Sequence, residues 1–532
     1  MTADRPRPRG AGTFAALRMR LFTVLLTVQL VNAIAVWAHV VTVQWTLTER
    51  GESATVVSLA PAAMALPFLL LALPVGAVVG FASRERMQAA AMVASALSAG
   101  AGALLSAVGS DHAALLIATV VVVGSALVVV GVAWQSLLHD LVNRGLLPSA
   151  TVLDGAIYNV ARAVGPLLAG LGLGLHGSTT TFLAISALFT ACGAMFIAIE
   201  ARRPGRRQAR RPIVREIVDG LRFARYSPWT RRLLLRMVMF GFPASALWAL
   251  ISLVVHDQLG LDSRGFGLIM AVVGTGAVVA TFVLPPLRRR LSVPAFAAWG
   301  SFVYAVTLAV LGLGSSPVLV GTTLLFGGVA WVGVQSTWMM LAHQALPTWV
   351  RPRIIALLLF LFQGTQAIGS LAWGLVADAI GLSGSLIVAT ALMLCSIAIL
   401  LHAGLGSSVG IEPDPAEIDE AWRRQLDVDH EGELLIRYEY TVDPDQNGDF
   451  LAAVEQLRMS RLRLGAREWK LWRHPELAGG FVETYRVTSR EDWWEQESVR
   501  LTVPEQRLRT AVHLTATHVR GPHAAPVPRT TR

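Results

Sequence analysis

The sequence predicts an all-α polytopic membrane protein: twelve transmembrane helices in two parallel six-helix repeats, followed by a small α+β domain. Three observations carry this. First, 54% of the 532 residues are hydrophobic and 15% are charged, against about 25% charged in soluble proteins. Second, rare residue types recur at an offset of 204: Arg84, Arg86, Trp134, His139 and Pro148 return as Arg288, Arg290, Trp338, His343 and Pro352. Gly165, Gly170 and Gly177 return as Gly369, Gly374 and Gly381. Glycine matches alone would mean little among 47 glycines; matches at Trp, His, Pro and Arg mark an internal duplication. Third, net charge is +15 over 1–409 and −5 over 410–532, so the C-terminal part is a separate domain.

An Arg/Pro-rich tail, 1–18, is expected to be disordered. A bilayer crossing needs about 20 mostly apolar residues. Twelve segments qualify: 19–46, 55–82, 88–109, 112–138, 150–174, 178–199, 233–257, 265–287, 293–314, 317–343, 353–377 and 383–404. They group into bundles at 19–199 and 233–405, joined by a basic linker, 200–232.

The stretch Glu200–Arg236 contains twelve arginines and three acids. Such a run suits either nucleic acid or a cytoplasmic loop beside membrane spans. It lacks aromatic residues interleaved for base stacking and lies at the joint of the repeat, so no nucleic-acid partner is expected. With both termini inside, 24 arginines fall on the inner side, against Arg50 and Arg264 outside. Of the 45 basic residues only Lys470 is lysine, a bias of GC-rich bacterial coding. The expected location is a bacterial inner membrane. Residues 213–226 suit an amphipathic helix lying on anionic lipid.

Cys192 and Cys395 sit in apolar spans without a CxxC partner, so they read as packing residues. No small-residue cleavage site follows the first apolar run, and no cleaved signal peptide is expected. No GxxxxGK[ST] loop occurs, so ATP drive has no support and a proton gradient is the expected energy source.

After a linker, 406–429, residues 430–516 read as a soluble domain. Residues 433–442, 466–474 and 480–488 alternate as strands. Phe450–Leu462, Asp492–Val499 and Glu505–Thr515 read as helical. The order β-α-β-β-α is that of a ferredoxin-like domain. Residues 517–532 are expected to be disordered.

Six-plus-six helices with a long central loop resemble the major facilitator superfamily. Three stretches narrow this: Trp37-x7-Trp45, residues 139–170 (HDLVNRGLLPSATVLDGAIYNVARAVGPLLAG) and residues 346–374 (LPTWVRPRIIALLLFLFQGTQAIGSLAWG). They resemble the bacterial transmembrane secretion effectors, near the enterobactin exporters. RYEYTVDP, RLRLGAREWKLWR and VRLTVPEQ are similar to that branch's C-terminal domain. The resemblance implies alternating access and proton-coupled efflux of a hydrophobic or siderophore-like small molecule. Gly165-Pro166 with Gly170 resembles an antiporter motif. Arg84 and Arg86 are what remains of the superfamily's gating loop, in which Gly80 and Phe81 stand where Asp and Arg are usual. Asp154 stands where the branch usually has Asn. The tail also resembles dimeric α+β modules related to small monooxygenases. His430, His474, His513 and His518 have no metal-ligand spacing, so self-association or regulation is expected before catalysis.

Ionisable groups within spans are costly and are candidate functional residues. Away from span ends, two remain, both in span 5: Asp154 and Arg162. They are about 12 Å apart along a straight helix, too far for a direct pair. Asp154 is a candidate proton carrier or a hydrated group near the boundary. Arg162 is a candidate ligand for an anionic substrate or a helix-interface residue. Asn32, Arg162, Gln335, Trp338, Gln363 and Gln366 form the expected substrate cavity, with Trp37, Trp45, Trp248, Trp331 and Trp373 nearby. Gln366 occupies the repeat position of Arg162. No catalytic residue, metal or cofactor is expected. The expected partners are a small-molecule substrate, protons and the lipid bilayer. Two alternatives stand: a membrane-anchored enzyme or sensor acting through 430–515, and an importer of the same fold.

Overall fold

The computed structural model describes residues 14–78, 83–109, 112–143, 145–202, 213–404, 412, 416 and 432–527. Arg5, Arg7, Arg9, Gly80, Phe81, Arg144, His430 and most of both linkers lie outside the described residues. Ten helices are long and apolar enough to cross a membrane. They are α1 (Arg20–Glu49), α2 (Ala54–Val78), α3 (Arg84–Ala107), α4 (Ala113–Leu141) and α5 (Leu147–Arg202), then, after the amphipathic α6 (Ile213–Tyr226), α7 (Pro228–Leu253), α8 (Ser263–Arg290), α9 (Val293–Leu313), α10 (Pro317–Ala345) and α11 (Arg351–His402). Helix α7 continues through a short π-helical turn, Val254–Gln258.

Helices α5 and α11 have 56 and 52 residues. At 1.5 Å per residue each is about twice as long as a crossing needs. Each breaks at one glycine: Gly177 (φ 76°, ψ 175°) and Gly381 (φ 81°, ψ 164°). Only glycine reaches such dihedrals without strain. The two positions are 204 residues apart, so the duplication is visible in the backbone. Exposed faces carry large apolar side chains, with Leu97, Phe282 and Val318 at 71%, 76% and 78% exposure. Lipid covers such faces without cost, and water does not.

The chain divides into two compact units. The first contains α1–α5, α8 and α9, with α7 from Met237, α10 to Thr337 and α11 from Phe360. Its N-terminal repeat has a core of Phe22, Leu25, Met92, Trp134, Leu138 and Phe196.

The second unit holds residues 214–236, 338–359 and the C-terminal tail. In the tail, β1 (Leu434–Thr441), α12 (Asn447–Leu464), β2 (Arg467–Arg473), β3 (Gly480–Val487), α13 (Arg490–Glu495), α14 (Val503–Leu514) and β4 (His518–Pro526) form an antiparallel sheet of order β2-β3-β1-β4. This is the split β-α-β of the ferredoxin-like arrangement. The expected disorder over 517–532 is corrected: His518–Pro526 is a strand. Two prolines and a glycine argue against a strand, but β4 is an edge strand, and it pairs the side of β1 that β3 leaves open.

The tail core encloses charge. Arg461, 2% exposed, pairs with Glu497 (3.0 Å) and Glu483 (3.5 Å) and lies over the rings of Tyr438 and Tyr485. Glu483 also accepts from Tyr440 Oη and Trp469 Nε1, both at 2.8 Å, and Arg509 pairs with Glu497. Burial pushes the Tyr438 hydroxyl up to about 12 and His513 below the usual histidine range.

One face of helix α6 packs against protein. Asp219, Phe223 and Ala224 are buried. Phe223 meets Trp349 edge to face and Arg463 lies over its ring, while Arg222 donates to the Gly465 carbonyl at 3.2 Å. Arg500 stacks on Trp349. The tail thus packs on the face of α6 that carries Asp219, Phe223 and Ala224, while Val218 and Leu221 on the other side stay exposed.

Candidate functional site

Within the first unit the two repeats meet where α1 and α7 end. Gln44 donates to the Trp248 carbonyl (3.0 Å) and Thr48 to Ser252 (2.9 Å). Each bond joins residue n to n+204, so the contact lies on the pseudo-twofold axis. Small residues set the closest approaches. A Cβ on Gly170 of α5 would lie 2.7 Å from the Gly267 Cα of α8 and closer still to the Ser263 carbonyl. A Cβ on the equivalent Gly374 of α11 would lie 2.8 Å from the Ala54 carbonyl of α2. The recurrence of these glycines is thus a packing requirement at matching crossings. Gly165 faces another way: a Cβ there would meet the Ile34 carbonyl and Trp37 Cβ of α1, both at 2.8 Å. Pro166 lies within helical α5, beside these crossings.

Arg162 lies among aromatic rings from both repeats. Its guanidinium carbon is 5.1 Å from the Trp37 ring centroid, 5.6 Å from Tyr158 and 5.7 Å from Trp248. Trp248 contacts Trp331, which in turn contacts Phe240, Tyr304 and Phe362. Among the described residues the titratable groups that face Arg162 are Tyr158, whose hydroxyl also bonds to it, and Tyr304, and no carboxylate is among them. Arg162 Nε and the indole nitrogens of Trp37, Trp248 and Trp331 are closed off and have no hydrogen-bond partner among the described residues. All four are donors. The site offers aromatic faces, a positive charge and these four unmatched N–H groups. Tyr158, one turn before Arg162, was not singled out from the sequence; its i, i+4 spacing was the available signal.

Asp154 and Arg162 take different partners. Asp154 accepts from Trp134 Nε1 (2.7 Å) and Gln135 Nε2 (3.1 Å), both on α4. The repeat positions are Leu358 and Trp338, so the C-terminal repeat has no such carboxylate. Trp338 instead lies under the Arg236 guanidinium at 5.7 Å, and Arg236 donates to the Ala403 carbonyl. These residues belong to the second unit, and Trp338 takes its place there. Asn32 is buried on α1, and Gln335 and Gln363 are half-buried. Gln366 reaches the Gly241 carbonyl at the limit of a hydrogen bond, 3.5 Å.

Arg84 donates to the Ser136 carbonyl of α4 at 3.3 Å. Its equivalent Arg288 donates to the Gly333 carbonyl (3.1 Å) and to Ser336 of α10. Both arginines tie a helix end to the neighbouring helix of the same repeat. The Arg86 backbone N–H is capped by Ser83 Oγ at 3.3 Å. A crevice of about 190 Å³ between α1 and the two arms of α5 is lined by Ile34, Ala38, Ala169, Gly172 and Ile185. None of the expected cavity residues lines it.

The family model described as a transmembrane secretion effector matches residues 11–530. The multidrug efflux pump Tap of Mycobacterium tuberculosis is 26% identical over 387 residues, covering 68% of this chain and 89% of the relative. The staphyloferrin A transporter of Staphylococcus aureus is 20% identical over 255 residues, covering 47% and 62%. Among solved structures, an inward-facing, unoccupied bacterial homologue of the human lysosomal transporter Spinster matches with a TM-score of 0.60 at 13% identity, over 72% of this chain and 96% of that one. The nucleoside transporter NupG matches at 0.59 and 10%, over 73% and 100%. These structures share the fold of the helical part.

Proposed function

The chain belongs to the transmembrane secretion effector family, and from that premise we propose that it is a proton-coupled exporter of amphipathic, acceptor-rich small molecules, hydrophobic or siderophore-like. Transport, a multi-pass membrane location and the absence of an enzymatic role follow from the family. Substrate class, coupling ion and orientation are our reading. The observation that carries it is the cluster of donors around Arg162: a positive charge, three indole N–H groups and aromatic faces match a substrate with anionic or carbonyl oxygens on an aromatic or apolar body. A drug-exporting and a siderophore-transporting relative support the same chemistry.

In this reading α5 and α11 cross twice each, turning at Gly177 and Gly381, which makes twelve crossings with both termini cytoplasmic. The contacts of α1 with α7, α5 with α8 and α11 with α2 close the outer end, as an inward-facing state requires. Asp154 carries the proton, held by Trp134 and Gln135 when ionised. The tail regulates or self-associates.

The test uses proteoliposomes with an imposed pH gradient and a panel of carboxylate, catecholate and neutral amphipaths. Asp154→Asn should abolish gradient-driven movement and leave substrate exchange at zero gradient. Full gradient-driven transport by that variant would remove Asp154 as carrier. Cells expressing the protein should accumulate less substrate; greater accumulation would mean import.

A further inference from the structure

A carboxylate at the seam between the repeats completes a helix that begins in the other repeat. Helix α2 starts at Ala54, and the backbone N–H groups of its first turn have no intrahelical acceptor. Ser53 supplies two of the acceptors: its side chain takes Val56 N–H (3.3 Å) and its carbonyl takes Val57 N–H (3.0 Å). The other two are met from α11: Asp378 Oδ1 accepts from Ala54 N (2.8 Å), and Oδ2 from Thr55 N (3.0 Å) and the Thr55 hydroxyl. Gly374, one turn earlier on α11, brings the helices close enough for this.

The equivalent crossing is held by the opposite chemistry. Position 378 minus 204 is Gly174 of α5, whose carbonyl accepts from Arg264 Nη2 of α8 at 2.8 Å. One crossing therefore uses an anion on backbone N–H groups at a helix start, and the other uses a cation on a backbone carbonyl. Each contact joins a side chain to the other repeat's backbone, so each is lost when the seam opens and can re-form only when it closes.

We propose that Asp378 is the latch of this seam: its carboxylate, by completing the α2 terminus, sets the balance between the closed state described above and a state open at this end. The proposal rests on the alternating-access reading. Because Asp378 is exposed, water can replace it at α2 when the seam parts, which makes it a reversible latch and not a structural clamp.

The experiment reads seam closure without substrate or gradient, so failure of the export reading leaves it interpretable. In membranes, with Cys192 and Cys395 replaced by serine, the pair Thr48→Cys and Ser252→Cys reports closure as an oxidant-induced cross-link, because the two side chains are hydrogen-bonded across the seam. Adding Asp378→Ala or Asp378→Asn should slow this cross-link about tenfold. Asp378→Glu should retain most of it. A second pair, Gln29→Cys and Gln88→Cys, joins α1 to α3 within one repeat and, with a bifunctional thiol reagent long enough to span the two shortened side chains, should cross-link equally in all variants. An unchanged seam cross-link in Asp378→Ala overturns the latch. So does a parallel loss in the Gln29/Gln88 pair, which would make Asp378 a general folding residue.

Discussion

Gly170→Ala should move the protein out of the conformation described here. The added methyl would lie 2.7 Å from the Gly267 Cα and closer to the Ser263 carbonyl, whereas carbon atoms pack at about 3.5–4.0 Å. Both obstacles are backbone, so no side-chain rotation relieves them; α5 and α8 must separate by roughly 1 Å. Overpacking of this kind costs about 1–3 kcal/mol. The cost falls only on a conformation in which α5 and α8 touch at this end, so it acts in full on the equilibrium. About 2 kcal/mol shifts the ratio of seam-open to seam-closed molecules roughly 30-fold. Pulsed electron paramagnetic resonance between labels at His176 and Ser315, both exposed, would read the shift in a background free of native cysteines. A second, longer distance should become prominent in Gly170→Ala. Gly155→Ala, whose methyl meets nothing within 4 Å, should match the parent. A single parental distance in a folded Gly170→Ala protein would refute the assignment of this contact to the state-dependent seam.

Two further substitutions probe the charged residues. Arg162→Lys keeps the charge but loses the planar stacking against Trp37, Tyr158 and Trp248; with about 2 kcal/mol at stake in a desolvated cation–π site, KM for an anionic substrate should rise about tenfold or more, and Arg162→Gln should raise it further. An unchanged KM in Arg162→Gln would place the substrate elsewhere. Glu483→Gln in the tail removes the charge that faces Arg461 and accepts from Tyr440 and Trp469. Breaking a buried pair costs about 3–5 kcal/mol, and Glu497 still offsets part of Arg461, so the loss should approach 3 kcal/mol, seen as faster proteolysis of the tail in the full-length protein. Parental protease resistance would show that Glu483 is dispensable to the tail.

The helical architecture was legible because lipid imposes a simple rule: every span must be long and apolar, and charged loops must stay out of it. The repeat was legible because Trp, His, Pro and Arg keep their positions where backbone geometry or packing requires them. Gly177 and Gly381 show this directly, since matching left-handed breaks occupy matching positions. In the tail, alternating apolar residues marked three strands, while β4 escaped notice because its pairing with β1 depends on a partner distant in sequence and not on its own composition.

By itself the sequence determined the long apolar helices, the duplication, the tail's element order up to β4 and the two ionisable residues, Asp154 and Arg162, of α5. Tertiary structure alone decided how those residues are used. Asp154 and Arg162 share a helix but face α4 and an aromatic cluster from both repeats, because the packing of α5 against its neighbours sets which side chains each one meets. Trp338, an equal candidate in the sequence, went to Arg236. Asp378, just outside the spans, was not singled out from the sequence, yet it completes a helix that begins 324 positions earlier. Hydropathy and periodicity report what each helix presents to lipid or core; they carry no information about which distant backbone N–H or ring a side chain will meet, and in this protein those meetings form the site and the seam.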